Sequence, residues 1–353
     1  MPPTVRLADL TTLHLGGPAP ELVTIGSVDD LAATMAGFRL AGRPVLVIGG
    51  GSNLVIADSG VPGPVVRIAI PGVAITENDD GTADVTIGAG EDWDGVVAQL
   101  VAAGLTGLAP LSGIPGSTGA TPVQNVGAYG TEIAEMLVSV TLYERATGEV
   151  RDIPADDLAL GYRTSVLRGT DRAVVTGVTL RLGRTPTPVK YAELARALGV
   201  EPGTAAPESA IRQAVLGLRR SKGMLIEPWV PDPDTRSAGS FFTNPIMDRV
   251  GADRTDQRIR ERFGADATYP RYPAGQDHTK LSAAWLIERA GFPKGFDGPG
   301  GRVGLSTKHT LALVNRDGTT ADMLQLARQI RDGVREAFEV DLHPEPVFVG
   351  VSL

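Results

Sequence analysis

The stretch VIGGGSNLVIADSG, residues 47–60, places three consecutive glycines directly after a run of apolar residues. A strand that ends in glycines is where a Rossmann dinucleotide site begins, and such a site needs G-x-G-x-x-G opening a helix. Counting from Gly49, the third glycine position holds Leu54, and the following residues indicate another strand rather than a helix. The stretch therefore predicts a fold other than the Rossmann fold, in which bare backbone amides hold an anion.

The residues before this stretch predict a strand-helix-strand unit. Residues 21–25 indicate a short strand, and a helix follows in which Ser27 and Asp30 form a capping box and Leu31, Met35 and Phe38 share one face. Gly42 ends the helix, and the apolar run before the glycines gives the second strand. We expect the two strands to be parallel.

A second glycine-rich stretch, GLTGLAPLSGIPGSTGATPVQNVGAYG at residues 104–130, follows a strand ending near Gly88 and a helix capped by Asp92 or Asp94. Long loops without secondary structure in compact domains are usually functional or disordered, and the Ile, Val, Leu and Tyr content argues against disorder. We therefore expect a buried loop wrapped around a large ligand, with backbone amides and polar side chains such as Ser117 and Thr118 supplying hydrogen bonds.

The remaining chain predicts strands between residues 137 and 182, a helix near residues 208–223 and a domain boundary within residues 215–235. Two clear helices follow, in KLSAAWLIERAG and in TTADMLQLARQIRDGVREAFEV, the second with a Thr319/Asp322 capping box. PVFVGVSL predicts a last strand.

Composition excludes several classes of protein. Lys and Arg number 33 against 41 Asp and Glu, a net charge of -8, which argues against a nucleic-acid partner. The chain has no apolar run of about 18 residues and no signal-peptide pattern in MPPTVRLADL, so we expect a cytoplasmic protein without membrane insertion. The absence of cysteine excludes disulfides, thiolate chemistry and cysteine-based zinc sites, and no metal is predicted.

The segment SAGSFFTNP, residues 237–245, places Ser240 between a glycine and two phenylalanines. A nucleophile elbow needs glycines two positions before and two after the serine, where this chain has Ala238 and Phe242. None of the four histidines lies in a context that nominates it as the base of a triad. By itself the segment indicates a turn followed by buried phenylalanines.

Six separated stretches resemble the UDP-N-acetylenolpyruvoylglucosamine reductase family, in the family's order. They are GGGSNLV, GIPGSTGATPVQNVGAYG, GYRTS, AGSFFTNP, KLSAAWLIERAG and HPEPVFVG. One such block would be weak evidence, but six in order with sensible spacing are specific.

The resemblance implies an α+β fold with a two-lobed FAD-binding domain of the vanillyl-alcohol-oxidase (PCMH) type and a separate α/β substrate-binding domain. It places the first FAD lobe at residues 1–70, the second at 71–222 and the substrate domain at 223–353. Both glycine-rich stretches become the cradle of FAD, bound non-covalently because neither contains cysteine or histidine. The FAD-binding residues that it implies are Gly50, Gly51, Ser52, Asn53, Leu54, Gly116, Ser117, Gly119, Ala120, Gln124, Asn125, Gly127 and Ala128.

The resemblance further implies NADPH-dependent reduction of UDP-N-acetylglucosamine enolpyruvate to UDP-N-acetylmuramate, a step of peptidoglycan precursor synthesis. NADPH reduces FAD, and flavin N5 passes the hydride to the enolpyruvyl group. The implied catalytic residues are Arg163, Ser240 and Glu345: Arg163 and a protonated Glu345 stabilise negative charge at the carboxylate, and Ser240 donates a proton to the carbanion. The implied UDP-sugar ligands are Tyr191, Lys222, Asn244 and Tyr272, the last in a loop that covers the diphosphate.

Other readings stay open at this stage. Taken singly, Arg163, Lys222 and Glu345 are typical of ordinary surface charges. The chain is also compatible with a different flavoprotein oxidase or dehydrogenase of the same fold, or with a non-catalytic UDP-sugar binder, which the intact Arg163, Ser240 and Glu345 disfavour. NADPH and the UDP-sugar are the expected partners and a monomer is expected, while the protonation state of Glu345 stays a hypothesis.

Overall fold

The computed structural model describes residues 5–353. The first four residues of the N-terminus considered above for an export signal lie outside the described residues. The strands are, in chain order, β1 (Val5–Arg6), β2 (Pro18–Ala19), β3 (Leu22–Ile25), β4 (Leu46–Ile48), β5 (Leu54–Ile56), β6 (Val65–Ile68), β7 (Val73–Glu77), β8 (Ala83–Gly88), β9 (Gly127–Ala128), β10 (Thr131–Glu132), β11 (Leu137–Glu144), β12 (Val150–Pro154), β13 (Ala173–Leu182), β14 (Ile246–Asp248), β15 (Arg271–Pro273), β16 (His278–Leu281), β17 (Val303–Leu305), β18 (Leu313–Asn315) and β19 (Val347–Val349).

The α-helices are α1 (Val28–Leu40), α2 (Trp93–Ala102), α3 (Ala192–Leu198), α4 (Glu208–Ser221), α5 (Arg249–Phe263), α6 (Ala283–Arg289) and α7 (Thr320–Phe338). Short 3-10 turns lie at Leu7–Leu10, Ala109–Leu111, Thr118–Ala120, Ile133–Glu135, Ala155–Leu158, Pro233–Thr235 and Pro299–Gly301.

The described chain divides into two compact units that exchange chain segments. Unit 1 holds Val5, Ala19–Gly51 and Val61–Ile226, and unit 2 holds Arg6–Pro18, Ser52–Gly60 and Glu227–Leu353. The change of unit after Ile226 lies inside the range in which the sequence predicts a domain boundary. The two early segments of unit 2 differ from the contiguous division given above, which has them in the first FAD lobe.

The first layer of unit 1 is a parallel sheet in the order β3-β6-β4. The predicted strand-helix-strand unit is present as β3, α1 and β4, and its strands are parallel, but β6 lies between them. Val65 and Val66 of β6 are fully buried, as expected of a central strand. Ser27 caps α1 by accepting the Asp30 N–H at 3.1 Å, whereas the Asp30 carboxylate accepts from the Ser27 hydroxyl rather than from the backbone.

The second layer of unit 1 is a five-stranded antiparallel sheet in the order β12-β11-β13-β8-β7. Helix α2 begins after Asp92, whose carboxylate accepts the Gly95 N–H at 2.8 Å, as predicted. Trp93 of this helix is buried, and its indole N–H donates to the Leu111 carbonyl at 3.1 Å. This bond ties α2 to the second glycine-rich stretch, which is buried along much of its length as predicted.

A satellite pair of helices, α3 and α4, completes unit 1. The two helices share a small core with Ala109, which contains Leu194, Ile211 and Val215. The sequence predicts α4 but not α3, because a helix of seven residues is too short to show a clear period. The two helices therefore pack against the second glycine-rich stretch at Ala109.

Unit 2 contains an antiparallel sheet in the order β14-β16-β15, the hairpin β17-β18 and the parallel pair β5-β19. Helix α7 has the predicted reciprocal Thr319/Asp322 capping box, and its predicted apolar face is fully buried. Helix α5 was not predicted from the sequence. Only Thr255 and Ile259 of its residues are buried, so the charged surface of α5 hides the pattern on which such a prediction depends.

Candidate active site

The two glycine-rich stretches meet inside unit 1, where the backbone of Gly50 packs directly on that of Gly116. A Cβ atom on Gly50 would lie 2.6 Å from the Gly116 Cα, and one on Gly49 would lie 2.2 Å from the Ser117 Oγ. Real Cβ atoms do not approach backbone as closely as at Gly50, so that position needs glycine, whereas a Cβ at Gly49 would displace the Ser117 hydroxyl. The result is a surface of bare backbone, of the kind that lets a pyrophosphate come close to peptide N–H groups.

The second stretch is anchored to the turn between β8 and α2. The Gly116 carbonyl accepts the Trp93 N–H at 3.0 Å, the Gly119 N–H donates to the Ala89 carbonyl at 2.9 Å, and the Thr118 N–H donates to the Glu91 carbonyl at 2.9 Å. Ser117, Gly119 and Gln124 are buried, whereas Ala120 is exposed. The cradle predicted from the sequence is thus held in place by the chain around it.

Asn125 is the centre of a buried hydrogen-bond network. Its side-chain amide donates to Glu132 Oε2 at 2.7 Å and to the Gly161 carbonyl at 3.0 Å, and its oxygen accepts the Ala134 N–H at 3.1 Å. The side chain is therefore used to hold the GYRTS turn against the glycine-rich stretch. A direct contact of Asn125 with FAD stays a prediction.

Arg163 lies in a tight turn closed by two backbone hydrogen bonds between Gly161 and Thr164, at 3.0 and 3.2 Å. Its guanidinium donates to the Gly127 carbonyl at 2.7 Å and approaches the Tyr162 ring, with 5.5 Å from Cζ to the ring centroid. A Cβ atom on Gly127 would lie 3.0 Å from Arg163 Nη1. Gly127 therefore makes room for the arginine, a role that its place in a glycine-rich motif does not reveal.

Tyr191 and Lys222, the predicted substrate residues of unit 1, are brought together by α3 and α4. Tyr191 precedes α3, Lys222 follows α4, and Lys222 Nζ lies 2.6 Å from Glu193 Oε2. Tyr129 joins them: its ring packs edge-on against Tyr191 with 5.8 Å between centroids, and Lys222 Nζ lies 5.6 Å from its centroid. Burial raises the pKa of Tyr129 to about 12, so its hydroxyl stays protonated at neutral pH.

Ser240 and Glu345 lie on neighbouring extended segments of unit 2. Phe242 pairs with Pro344 in antiparallel register, the Glu345 N–H donates to the Phe241 carbonyl at 2.9 Å, and the Thr243 N–H donates to the His343 carbonyl at 3.0 Å. Because Glu345 is opposite Phe241, it lies one residue in register from Ser240. Residues separated by about a hundred positions in sequence are thereby adjacent in the fold.

The phenylalanines that follow Ser240 are core residues, as the bare segment indicates. Phe241 and Phe242 are 0% and 1% exposed, and their rings pack edge to face with centroids 5.2 Å apart. Ser240 itself is partly buried, and Gly239 before it has a φ of +72°. A residue other than glycine would be strained at this φ, so Gly239 sets the direction in which Ser240 leaves the core.

The first glycine-rich stretch continues into unit 2 beside Glu345. The Asn53 side chain donates to the Glu345 carbonyl at 3.4 Å, and the Asn53 carbonyl accepts the Val347 N–H at 2.9 Å, which begins the β5-β19 pair at Leu54. Thr12 donates its hydroxyl proton towards both the Ser52 and the Ser237 carbonyl, at 3.2 and 2.7 Å. Unit 2 therefore places Ser52, Asn53 and Leu54 next to the segments of the predicted catalytic pair.

Asn244 and Tyr272 lie on other parts of unit 2. The Asn244 side-chain oxygen accepts the Ala283 N–H at 2.9 Å, at the start of α6. Tyr272 is in the centre of β15, 52% exposed, and directly opposite Lys280 on β16, so the two side chains share one face of the sheet.

Two relatives cover nearly the whole chain. The UDP-N-acetylenolpyruvoylglucosamine reductase of Saccharopolyspora erythraea is 56% identical over 350 residues, which cover 98% of this chain and 95% of that protein. The protein of the same name from Thermobifida fusca is 52% identical over 352 residues, with 99% and 98% covered.

The chain belongs to the UDP-N-acetylenolpyruvoylglucosamine reductase family.

The family models and a solved structure agree with this assignment. Residues 232–349 match the C-terminal domain of UDP-N-acetylenolpyruvoylglucosamine reductase, and residues 19–154 match an FAD binding domain. The reductase crystal structure from Thermus caldophilus aligns with a TM-score of 0.64 at 27% identity and covers 98% of both chains. The predicted family, the α+β architecture with an FAD-binding domain of the PCMH type, and the oxidoreductase class are confirmed.

The glycine cradle fits the FAD that this reductase family implies. Gly50 and Gly119 each exclude a side chain by the close approach of neighbouring atoms, with 2.6 Å from a Gly50 Cβ to the Gly116 Cα and 2.5 Å from a Gly119 Cβ to the Ala89 Cβ. Neutral amides and small residues suit a dinucleotide whose own phosphates carry the charge. Among residues 5–353 no group of three or more His, Cys, Asp or Glu could hold a metal ion, and no helix has the length and apolarity to cross a membrane.

Sequence reasoning missed two residues of the unit 1 site. Tyr129 has one signal, since it is the single aromatic residue in a long stretch of small residues, but its contact with Lys222 depends on a φ of +50° that sequence does not reveal. Glu193 has none, because it lies two residues after Tyr191 on a helix that was not predicted. Both residues therefore became visible only through the packing of α3 and α4.

Proposed function

We propose that this chain catalyses the NADPH-dependent reduction of UDP-N-acetylglucosamine enolpyruvate to UDP-N-acetylmuramate, with FAD bound non-covalently. The observation that carries the proposal is the antiparallel pairing in unit 2 that brings the segment of Ser240 against the segment of Glu345, with Glu345 opposite Phe241. Family membership supplies the reaction, and this pairing brings together two segments that are distant in sequence and that each contain a proposed catalytic residue.

The cradle would hold FAD through the backbone of Gly50, Gly51 and Gly116 and through the small residues around them. The further FAD-binding residues that we propose are Ser52, Asn53, Leu54, Ser117, Gly119, Ala120, Gln124, Asn125, Gly127 and Ala128, with Asn125 acting by holding the loop. When bound, FAD supplies the redox chemistry, carrying a hydride from NADPH to the enolpyruvyl double bond.

Arg163 acts as the fixed cation of the site. Reduction of an enolpyruvyl double bond places negative charge next to the substrate carboxylate, and a cation aimed at that carboxylate stabilises the transition state more than the ground state. The hydrogen bond from Arg163 to the Gly127 carbonyl and the tight turn around it preorganise the guanidinium. Glu345, if it carries a proton, adds a hydrogen bond to the same charge.

Ser240 donates the proton that completes the reduction. A serine hydroxyl is a weak acid, but the carbanion beside a carboxylate is basic enough to take its proton, so no histidine is needed. The buried rings of Phe241 and Phe242 limit the access of water that would protonate the substrate from other directions. This role explains a serine without an elbow or a triad.

Tyr191, Lys222, Asn244 and Tyr272 are the residues that we propose to bind the UDP-sugar. The ammonium of Lys222 suits a phosphate, and the half-exposed rings of Tyr191 and Tyr272 can cover a nucleotide. We further propose a monomeric, cytoplasmic enzyme, with which the absence of cysteine is compatible.

The test is anaerobic rapid mixing of the NADPH-reduced protein with the enolpyruvyl UDP-sugar, followed by flavin absorbance. We expect purified protein to release free FAD on denaturation, NADPH to bleach it, and the sugar nucleotide to restore the oxidised spectrum. Reduced protein that the sugar nucleotide leaves bleached would contradict the proposed reaction, and protein that takes up no FAD would contradict the cofactor.

A further inference from the structure

Gly113 of the second glycine-rich stretch, called the cradle stretch below (residues 104–130), forms hydrogen bonds with charged side chains through both its N–H and its carbonyl. Its N–H donates to Asp94 Oδ1 at 2.6 Å, and its carbonyl accepts from Arg219 Nε at 2.9 Å. Its φ is +70°, and a Cβ atom there would lie 3.0 Å or less from Leu225, Arg219 and Leu216. The backbone at this point has one conformation, and two side chains set its position.

Of the two side chains that bond to Gly113, Arg219 is the more unusual because it is only 8% exposed. Burying a guanidinium is costly, and the burial lowers its pKa below the ordinary arginine value. Its second hydrogen bond goes to the Met224 carbonyl at 2.9 Å, two residues beyond Lys222. One buried side chain thus joins the cradle stretch to the backbone that follows Lys222.

Asp94 links the same point to α2 and α4. Arg212 of α4 makes a bidentate ion pair with it, at 2.5 and 2.9 Å. Asp94 lies in the first turn of α2, so the start of α2, the cradle stretch and α4 share one network of charge-assisted hydrogen bonds.

A second contact between α4 and the cradle stretch lies at Ala109. The Ala109 N–H donates to Glu208 Oε2 at 3.2 Å, and Ala109 packs in the core that α3 and α4 share. The helices that carry Tyr191, Glu193 and Lys222 are therefore fixed to the cradle stretch at Ala109 and at Gly113. Movement of either part would break buried polar bonds, which are expensive to leave unmade.

We propose that Arg219 is a positioning residue that couples the cradle to Lys222, so that one side chain sets the affinity for FAD and the affinity for the UDP moiety together. The inference rests on the proposed function for the identity of the two ligands. It assigns to Arg219 no contact with either of them.

The variants that test this are Arg219→Met, which keeps volume and removes the donors, and Arg219→Lys, which keeps the charge and loses the fork. Dissociation constants are measured for FAD by flavin fluorescence and for UDP by calorimetry, and KM and kcat follow with the enolpyruvyl UDP-sugar. We expect Arg219→Met to raise the dissociation constants for FAD and UDP and the KM for the sugar nucleotide by about tenfold each. The kcat at saturation should change little. Arg219→Lys should change all three in the same direction by a smaller factor, and serves alone if Arg219→Met does not fold.

Two controls separate positioning from general damage. Lys222→Met should raise the dissociation constant for UDP and leave the dissociation constant for FAD unchanged. Arg181→Met removes a matched but exposed bidentate pair with Asp84 and should change neither constant. Arg219 variants that lower the melting temperature but bind FAD or UDP as the Arg181→Met protein does would overturn the proposal.

The binding measurements keep this inference separate from the proposed reaction. A wild-type protein that binds FAD and UDP without reducing the substrate refutes the reaction, and the Arg219 variants then still decide the coupling. A wild-type protein that binds neither ligand overturns both.

Discussion

Arg163 has a backbone conformation that arginine seldom adopts, with a φ of +55°. Such a conformation costs roughly 1–2 kcal/mol for a residue other than glycine and persists when its surroundings determine it. Here the Asn125 amide holds the Gly161 carbonyl, and the turn closes between Gly161 and Thr164. The strain therefore aims a side chain, which is consistent with the catalytic role that we propose for it.

Substitution of Ser240 tests the proton donor. In Ser240→Ala, NADPH should still bleach the flavin at the wild-type rate. Reoxidation of the flavin by the enolpyruvyl UDP-sugar should slow by about 10²-fold or more, because only this half of the reaction needs the proton from Ser240. Stopped-flow absorbance measures both halves. Ser237→Ala removes the other serine hydroxyl of the segment, which accepts the Gly239 N–H at 3.2 Å, and should slow reoxidation far less. Equal rates in wild type and Ser240→Ala would remove Ser240 from the mechanism.

Substitution of Gly127 tests the space that Arg163 occupies. A Cβ atom there would lie 2.8 Å from Glu132 Cγ and 3.0 Å from Arg163 Nη1, so Gly127→Ala should displace the guanidinium and lower kcat/KM about tenfold. Gly37→Ala is the matched control. Gly37 lies within α1 with nothing within 4 Å of its added Cβ, so alanine there should raise stability by about 0.5–1 kcal/mol and leave kcat/KM unchanged. A Gly127→Ala enzyme with wild-type kcat/KM would contradict this account.

At the scale of elements, the ion pair between Asp94 of α2 and Arg212 of α4 shows how the second glycine-rich stretch is stabilised. Burial acts to raise the pKa of Asp94, but the hydrogen bonds from Arg212 and from the Gly113 N–H outweigh it and hold the pKa below its ordinary value. A carboxylate whose pKa is lowered by folding stabilises the native state above its unfolded pKa, about 3.9. That stabilisation is lost as the pH falls through the folded pKa.

The pH dependence of stability follows from this sign. The difference in free energy of unfolding between wild type and Asp94→Asn should be constant between about pH 7 and 5. It should shrink below about pH 4, where the carboxyl of the unfolded chain takes up a proton before the native one does. Denaturant unfolding at a series of pH values measures it. The same loss with pH should be smaller in an Arg212→Gln background, because the strongest partner is gone. A difference that stays constant down to pH 3 would refute the assignment.

For the whole molecule, the exchange of segments decides which pieces can fold. Val55, Leu13 and Leu15 come from the early segments and are at most 2% exposed in the core of unit 2. β5 also supplies the pairing partner of β19, so a piece that begins at Glu227 lacks both core residues and a strand. The part of the chain that matches the C-terminal family model is therefore not a complete unit.

A fragment of residues 227–353 should consequently show no cooperative thermal unfolding by circular dichroism. Joining Arg6–Pro18 and Ser52–Gly60 to it through glycine-rich linkers should restore a cooperative transition, because the core and the β5-β19 pair are then complete. Cooperative unfolding of the shorter fragment would show that the early segments are dispensable.

The sequence alone determined what depends on local signals. The 3.6-residue periodicity and capping box of α7, the Asp92 cap of α2 and the failure of the Rossmann pattern at Leu54 are properties of neighbouring residues, and each was confirmed. Six ordered motifs identified the family for the same reason, since each is a short run of contiguous residues. Helix α3 was missed because seven residues are too few to show a period, and helix α5 because only two of its residues are buried.

Only the tertiary structure decided which distant residues meet. Three features depend on strand pairing between segments far apart in the chain: the central position of β6, the place of Ser52–Gly60 in unit 2, and the register that sets Glu345 opposite Phe241. So do the buried arginine that joins Gly113 to the end of α4 and the tyrosine that packs on Lys222. Residue types and spacing do not encode such contacts individually, because pairing and burial are chosen by the free energy of the whole fold.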